Sequence, residues 1–166
     1  MKNIPLVFLC VCILVSFLGC TDVRSTNTTQ LLIELSHRSE QNTERAFLFE
    51  SEAKEGDITF LSEGTKIALY GDKRSAECFP LIEEYAILLC TNGVGEIAVF
   101  KCFSESDTDL VAAMCLERAD LLKVALKSTS FADKSADISV TIRGKYVLMA
   151  FTDHNRSVCE RFLKMI

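Results

Sequence analysis

Apolar and polar positions along this chain fall into blocks that read as separate elements. An apolar run extends from Ile4 to Leu18, interrupted only by Pro5 and Ser16. Residues 21–30, TDVRSTNTTQ, are almost wholly polar and hold five hydroxyl side chains, the composition of a solvated tether. Between Leu31 and Lys54 two short clusters, Leu31, Leu32, Leu35 and Ala46, Phe47, Phe49, flank the polar stretch HRSEQNTER. That spacing predicts weak helix or irregular structure. Leu61, Thr65, Ala68 and Leu69 then recur at helical spacing within Asp57 to Tyr70, and Gly71 follows as a C-terminal cap. Pro80 blocks any continuation of that helix and predicts an extended Phe79.

The pattern is clearest from Glu84 onward. Tyr85 to Cys90 and Glu96 to Phe103 are β-rich runs joined by the turn cluster TNGVG, which predicts a hairpin. Ser106-Asp107-Thr108-Asp109 offers an N-cap with acidic residues in the first turn. Leu110, Met114, Leu121 and Ala125 mark one face of a helix reaching about Lys127. After the polar stretch KSTSFADKSAD, Ile138 to Ile142 and Lys145 to Thr152 flank a tight turn at Arg143-Gly144, a second hairpin. Asp153 or Asn155 can cap a last helix, in which Val158, Phe162 and Ile166 are spaced by four.

Hairpin, helix, hairpin, helix predicts an α+β fold. It would contain two ββα units forming a four-stranded antiparallel sheet with the helices on one face, preceded by a helical lead-in. Alternation puts Ile138, Val140, Ile142, Val147, Met149 and Phe151 on the face that meets the helices. The opposite face receives Ser139, Thr141, Tyr146, Leu148 and Ala150, with Ala86, Leu88, Ala98 and Phe100 from the first hairpin. This second face is too apolar to be wholly wet. Either residues 31–70 cover it or it is an interaction surface.

The N-terminal run changes what the rest of the chain means. Lys2, a fifteen-residue apolar core and the small Gly19 describe a secretory signal, and the core is shorter than the roughly 20 residues a spanning helix needs. Phe17-Leu18-Gly19-Cys20 resembles the lipobox of bacterial lipoproteins, which usually reads Leu, a small or branched residue, Gly or Ala, then Cys. Phe17 and Leu18 depart somewhat from that form. The resemblance implies a signal peptide at 1–19, cleavage between Gly19 and Cys20, and lipid on Cys20. A polar tether at 20–30 would precede a single α+β domain at 31–166, best defined over 84–166. Acyl chains contribute about 0.8 kcal/mol per buried methylene, so several make a lasting anchor on the extracytoplasmic face of the cell membrane.

Removing the signal leaves 147 of the 166 residues, enough for one core. It also takes the formal charge from −5 to −6 through loss of Lys2. An acidic chain with no basic run argues against nucleic acid as a partner. Eight cysteines suggest a disulfide framework, but Cys10 and Cys12 lie in the signal and Cys20 would carry lipid. The remaining five, Cys78, Cys90, Cys102, Cys115 and Cys159, stand 12, 12, 13 and 44 apart, with no CxxC pair and no zinc rhythm. They read as small buried hydrophobes, with room for one disulfide and at least one free thiol.

Candidate chemistry is sparse. Asp153, His154 and Cys159 come nearest to a nucleophile with its base, but His154 and Cys159 would lie about 140° apart around a helix. His37 has no recognisable partner. Glu83-Glu84 reads as a solvated strand entrance, and Asp107 with Asp109 suits the positive end of a helix. Gly93-Val94-Gly95 lacks the following helix and lysine of a phosphate loop. Lys101 would share a face with Tyr85 if Ile87 pairs with Val99, and reads as a snorkelling side chain. No catalytic residue, cofactor or metal site is expected.

Leu69-Tyr70-Gly71, EYAILL, EIAVFKC, SDTDLVAAMCLERADLLK and ISVTIRGKYVLMAF occur in this order across residues 69–166. In that order they resemble a family of small lipoproteins of Gram-positive, clostridial-type bacteria that carry a domain of unknown function. The resemblance implies architecture and location and supplies no functional residues. The leading expectation is a non-enzymatic, lipid-anchored module that binds a protein, peptide or envelope component through its second sheet face. A small envelope enzyme or accessory subunit, and a structural part of a surface complex, are the alternatives.

Overall fold

The computed structural model describes residues 27–37, 46–90, 95–127, 138–152 and 154–166. Gly19, Cys20 and most of the expected tether lie outside them. The described elements run α1 (Thr28–Ser36), β1 (Ala46–Glu50), α2 (Glu63–Tyr70), α3 (Asp72–Cys78), β2 (Ile82–Cys90), β3 (Glu96–Cys102), α4 (Thr108–Leu126), β4 (Ser139–Arg143), β5 (Tyr146–Phe151) and α5 (Asn155–Met165). The fold is α+β, and its strands form one antiparallel sheet in the order β1-β2-β3-β5-β4.

Two features of the expected architecture are corrected. The sheet has five strands rather than four, because Ala46–Glu50 pairs with β2. The helices occupy both faces, so two ββα units with their helices side by side do not describe it. On one face α4 packs Val111, Met114 and Cys115 with Ile87, Ala98, Phe100, Val147 and Met149, joined by Leu69 and Tyr70 of α2. On the other, α5 sets Val158 and Phe162 against Ile97, Val99, Leu148 and Ala150, beside Leu31, Leu32 and Leu35 of α1. The second sheet face is therefore covered. Its cover comes from α1 and α5, while α2, the other helix of the 31–70 stretch, lies on the first face.

Local chemistry explains the element boundaries. Asn27 Oδ1 accepts from Thr29 N–H at 2.8 Å and starts α1 at Thr28, inside the stretch read as tether. Ser62 caps α2 in the same way, and Gly71, at φ +80°, ends it where a side chain would be strained. Phe79 is helical rather than extended: Phe79–Leu81 form a 3-10 turn closed by Ile82 N–H to the Phe79 carbonyl. A second 3-10 turn, Glu105–Asp107, is capped by Ser104 and delays α4 to Thr108.

Register decides which side chains face each core. Tyr85 pairs with Phe100 and Ile87 with Ala98, with an irregularity between Ile82 and Glu84. Ala86 and Leu88 keep their expected second face, but Ile97 and Val99 join them and Ala98 and Phe100 turn to the first. The β4–β5 turn lies at Gly144-Lys145, one residue later than expected, with Ile142 opposite Val147. Face assignments there survive because each residue's partner moves by two positions. Gly144, at φ +53°, supplies the left-handed turn conformation.

Helix α4 is apolar on most sides, so its pattern alone does not select a buried stripe. Val111, Ala112, Met114, Cys115 and Ala119 are buried, whereas Leu121 is 55% exposed. Phe162→Ala is expected to destabilise the protein by about 3–5 kcal/mol, and Leu121→Ala by less than about 0.5 kcal/mol. Urea unfolding of both variants measures the contrast, and similar losses would mean the α4 face is misassigned.

Candidate functional site

An open groove of about 1120 Å³ lies between edge strand β4 and helix α5. Ser139, Val140 and Thr141 form one side, and Arg156, Cys159, Glu160 and Leu163 form the other. Thr152, His154, Asn155 and Ser157 line it where β5 passes into α5. Among the described residues β4 pairs only with β5, so alternate residues turn their N–H and C=O away from that partner.

The start of α5 is tied to the end of β5 by two hydrogen bonds. Thr152 N–H donates to Asn155 Oδ1 at 2.7 Å, and His154 N–H donates to Thr152 Oγ1 at 3.1 Å. Asn155 is buried, and its Nδ2 has no hydrogen-bond partner. Arg156 reaches Glu160 at 3.0 Å on the exposed side of the helix. His154 and Cys159, separated by helical phase in the sequence, both border the groove, yet no hydrogen bond joins them. Asp153 lies outside the described residues.

The remaining candidates have structural roles. Glu83 and Glu84 hold Lys101 Nζ at 3.2 and 3.1 Å, and Glu84 also accepts from Thr28 N–H at the start of α1. The register places Lys101 opposite Glu84 and not on the face of Tyr85. His37 is the C-cap of α1. Asp107 caps no N–H with its side chain, and Asp109 sits in the first turn of α4. Of the glycine turn, only Gly95 is described.

Two features had little signal in the sequence. Glu96, 2% exposed, receives the Arg118 guanidinium at 2.8 and 3.1 Å. Its only hint was a carboxylate opening an apolar strand. Burial raises the Glu96 carboxyl above its ordinary range, outweighing the opposing charge and hydrogen bonds of Arg118. A smaller hollow of about 630 Å³, lined in part by Tyr70, Leu121 and Val124, lies beside α2, α3 and α4. Its rim is closed by the Arg74–Glu117 pair, so those polar groups satisfy each other.

Among the described residues Cys78, Cys102, Cys115 and Cys159 are free thiols, and the first three are buried. Burial pushes the Cys102 thiol up to about 11 and raises Cys78 and Cys115 as well. Among the described residues no group of three or more His, Cys, Asp or Glu side chains could hold a metal ion. No described helix is long and apolar enough to cross a membrane. No protein-family model, curated protein or solved structure matches this chain.

Arg118→Ala is expected to cost about 3–5 kcal/mol near neutral pH, because it leaves a buried carboxylate unpaired. Protonation relieves that penalty. The folded-state pKa of Glu96 lies above the unfolded one, so the loss shrinks as pH falls toward 4.5. Urea midpoints for wild type and variant at neutral and mildly acidic pH test this, and a pH-independent difference counts against it. The buried thiols have the same sign at alkaline pH. Unfolded thiols ionise near 9 and folded Cys102 near 11, so stability falls across that window by about 1.4 kcal/mol per pH unit for each such thiol. Replacing Cys102 with Ala is expected to flatten the alkaline slope.

Proposed function

We propose that this protein is a lipid-anchored, extracytoplasmic binding module whose contact surface is the β4–α5 groove. Residues 1–19 act as the signal peptide, Cys20 carries the lipid, and the polar residues that follow hold the body off the membrane. The resemblance of residues 69–166 to clostridial-type lipoproteins supports the same setting. The second sheet face, the contact expected from sequence, is filled by α1 and α5 and is withdrawn from that role.

The carrying observation is that, among the described residues, a groove lies beside an unpaired strand edge while both sheet faces are covered. Its position supports access from outside. The first described residues lie at the β1–β2 side of the sheet, where Thr28 meets Glu84 of β2 and Thr29 meets Glu50 of β1. β4 is at the opposite edge of the sheet, roughly 15–20 Å across at ordinary strand spacing. The occupant that suits an unpaired edge is an extended polypeptide segment, which supplies the missing main-chain partners.

Membrane fractionation of Cys20→Ala cells is expected to move the protein from the membrane to the soluble fraction. A photo-cross-linking residue at Thr141 is expected to capture one defined envelope polypeptide, and the same residue at Ile58, 87% exposed in a distant loop, is expected to capture none. Continued membrane association of the Cys20 variant would sink the anchor, and equal labelling from the two positions would sink the groove.

A further inference from the structure

Strand β4 is close to symmetric in its chemistry about its middle residue, Thr141. The two-residue turn at Gly144-Lys145 makes Arg143 and Tyr146 a hydrogen-bonded pair. Bonded pairs alternate along an antiparallel ladder, so Ser139, Thr141 and Arg143 turn their main-chain groups to β5, while Val140 and Ile142 turn theirs outward. Among the described residues no hydrogen bond uses those outward groups. Val140, Thr141 and Ile142 are β-branched, the strand contains no proline, and its one charge, Arg143, sits at one end. The devices that usually discourage strand addition are missing from its middle.

We propose that the protein forms a twofold dimer by antiparallel pairing of β4 with β4 of a second copy, centred on Thr141. This names the polypeptide taken by the β4–α5 groove and rests on that reading. In this register Val140 of each copy exchanges main-chain hydrogen bonds with Ile142 of the other. Thr141 meets Thr141, a favourable cross-strand pair, and Arg143 faces Ser139, so no like charges are opposed. The twofold axis is normal to the sheet, and each face continues into the same face of the other copy. The groove wall of α5 offers Leu163, 40% exposed, and one residue of each sign in Arg156 and Glu160. Two such walls meet without a surplus of charge. The opposite edge does not suit a second copy. Glu50, Glu52, Glu83 and Glu84 gather there beside the start of α1, with Lys101 held by two of them. The Glu50 N–H is already spent on the Thr59 carbonyl. Head-to-tail addition of β4 to β1 is thereby discouraged, which favours a closed pair over an open chain of copies. α1 lies on the same face as α5, so both copies begin on one side of the joined sheet, as two lipid anchors in one membrane require.

The test uses full-length protein in neutral detergent, with Cys159→Ser as the background for two added cysteines. At the proposed register the two Cα atoms of residue 141 stand about 4.5 Å apart, within reach of a disulfide. Those of residue 139 stand about 14 Å apart, beyond it. Diamide, which takes up the two thiol hydrogens, is expected to link Thr141→Cys into a dimer and to leave Ser139→Cys unlinked. Sedimentation equilibrium of the wild type in density-matched detergent is expected to give a dimer. Thr141→Lys opposes two like charges at the axis and is expected to raise the dimer dissociation constant by about tenfold or more, with thermal unfolding of the variant as the check on its fold. The cysteine pair decides the register even where the lysine lowers stability. A monomeric wild type, equal linking from positions 139 and 141, or a Thr141 photo-product made only with a different polypeptide would overturn the proposal. The groove reading fails separately, by equal photo-labelling from Thr141 and Ile58.

Discussion

Strand β3 is apolar toward both of its faces, and the architecture follows from the need to keep both dry. Ile97 and Val99 point one way, and Ala98, Phe100 and Cys102 point the other, all fully buried. A central strand of that kind requires a layer of helices on each side. α4 with α2 supplies one layer, and α1 with α5 supplies the other. Placing both long C-terminal helices on one face would leave Leu88, Leu148 and Val99 against water.

With both faces covered, the proposed recognition falls to the rim of the sheet. β1 is partly occupied there, since Glu50 N–H bonds to the Thr59 carbonyl. β4 has α5 beside it instead, and the space between them is the groove. The same helix thus seals the second core through Val158 and Phe162 and forms a groove wall through Arg156, Cys159 and Leu163. Its first turn is fastened to the end of β5 by Thr152 and Asn155. Binding at the rim would leave both cores intact and need no opening of the body.

The buried polar groups divide into paired and unpaired kinds. Glu96 and Arg118 tie the entrance of β3 to the middle of α4 by a two-point contact, which specifies how that helix sits along the sheet. Thr152 and Asn155 satisfy each other only in part. The buried cysteines belong with the hydrophobic residues: raised pKa values keep their thiols neutral and poorly nucleophilic.

Much of the local structure was legible because its causes are local. β-rich runs on either side of Arg143-Gly144 mark a hairpin, Gly71 marks a helix end, and the four-residue spacing of Val158 and Phe162 marks a buried stripe. Strand β1 was not legible, because Ala46–Glu50 lacks clean alternation and is recruited by the edge of β2. The α4 face was ambiguous for the opposite reason, with apolar side chains on most of its circumference. Asn155 could be read as a helix cap from its position, and its amide does bond to Thr152. The unpartnered Nδ2 could not be read, since hydrogen-bond satisfaction depends on tertiary packing.

By itself the sequence determined the order of helices and strands after Glu84 and the side-chain alternation of the β4–β5 hairpin, both governed by contacts between near neighbours. Tertiary structure decided the register of β2 on β3, the fifth strand, the face taken by α5, and the Glu96–Arg118 pair. Each depends on groups far apart in the chain competing to bury the same apolar surface. Local periodicity says that a helix has a buried side, and only the assembled sheet says which face will bury it.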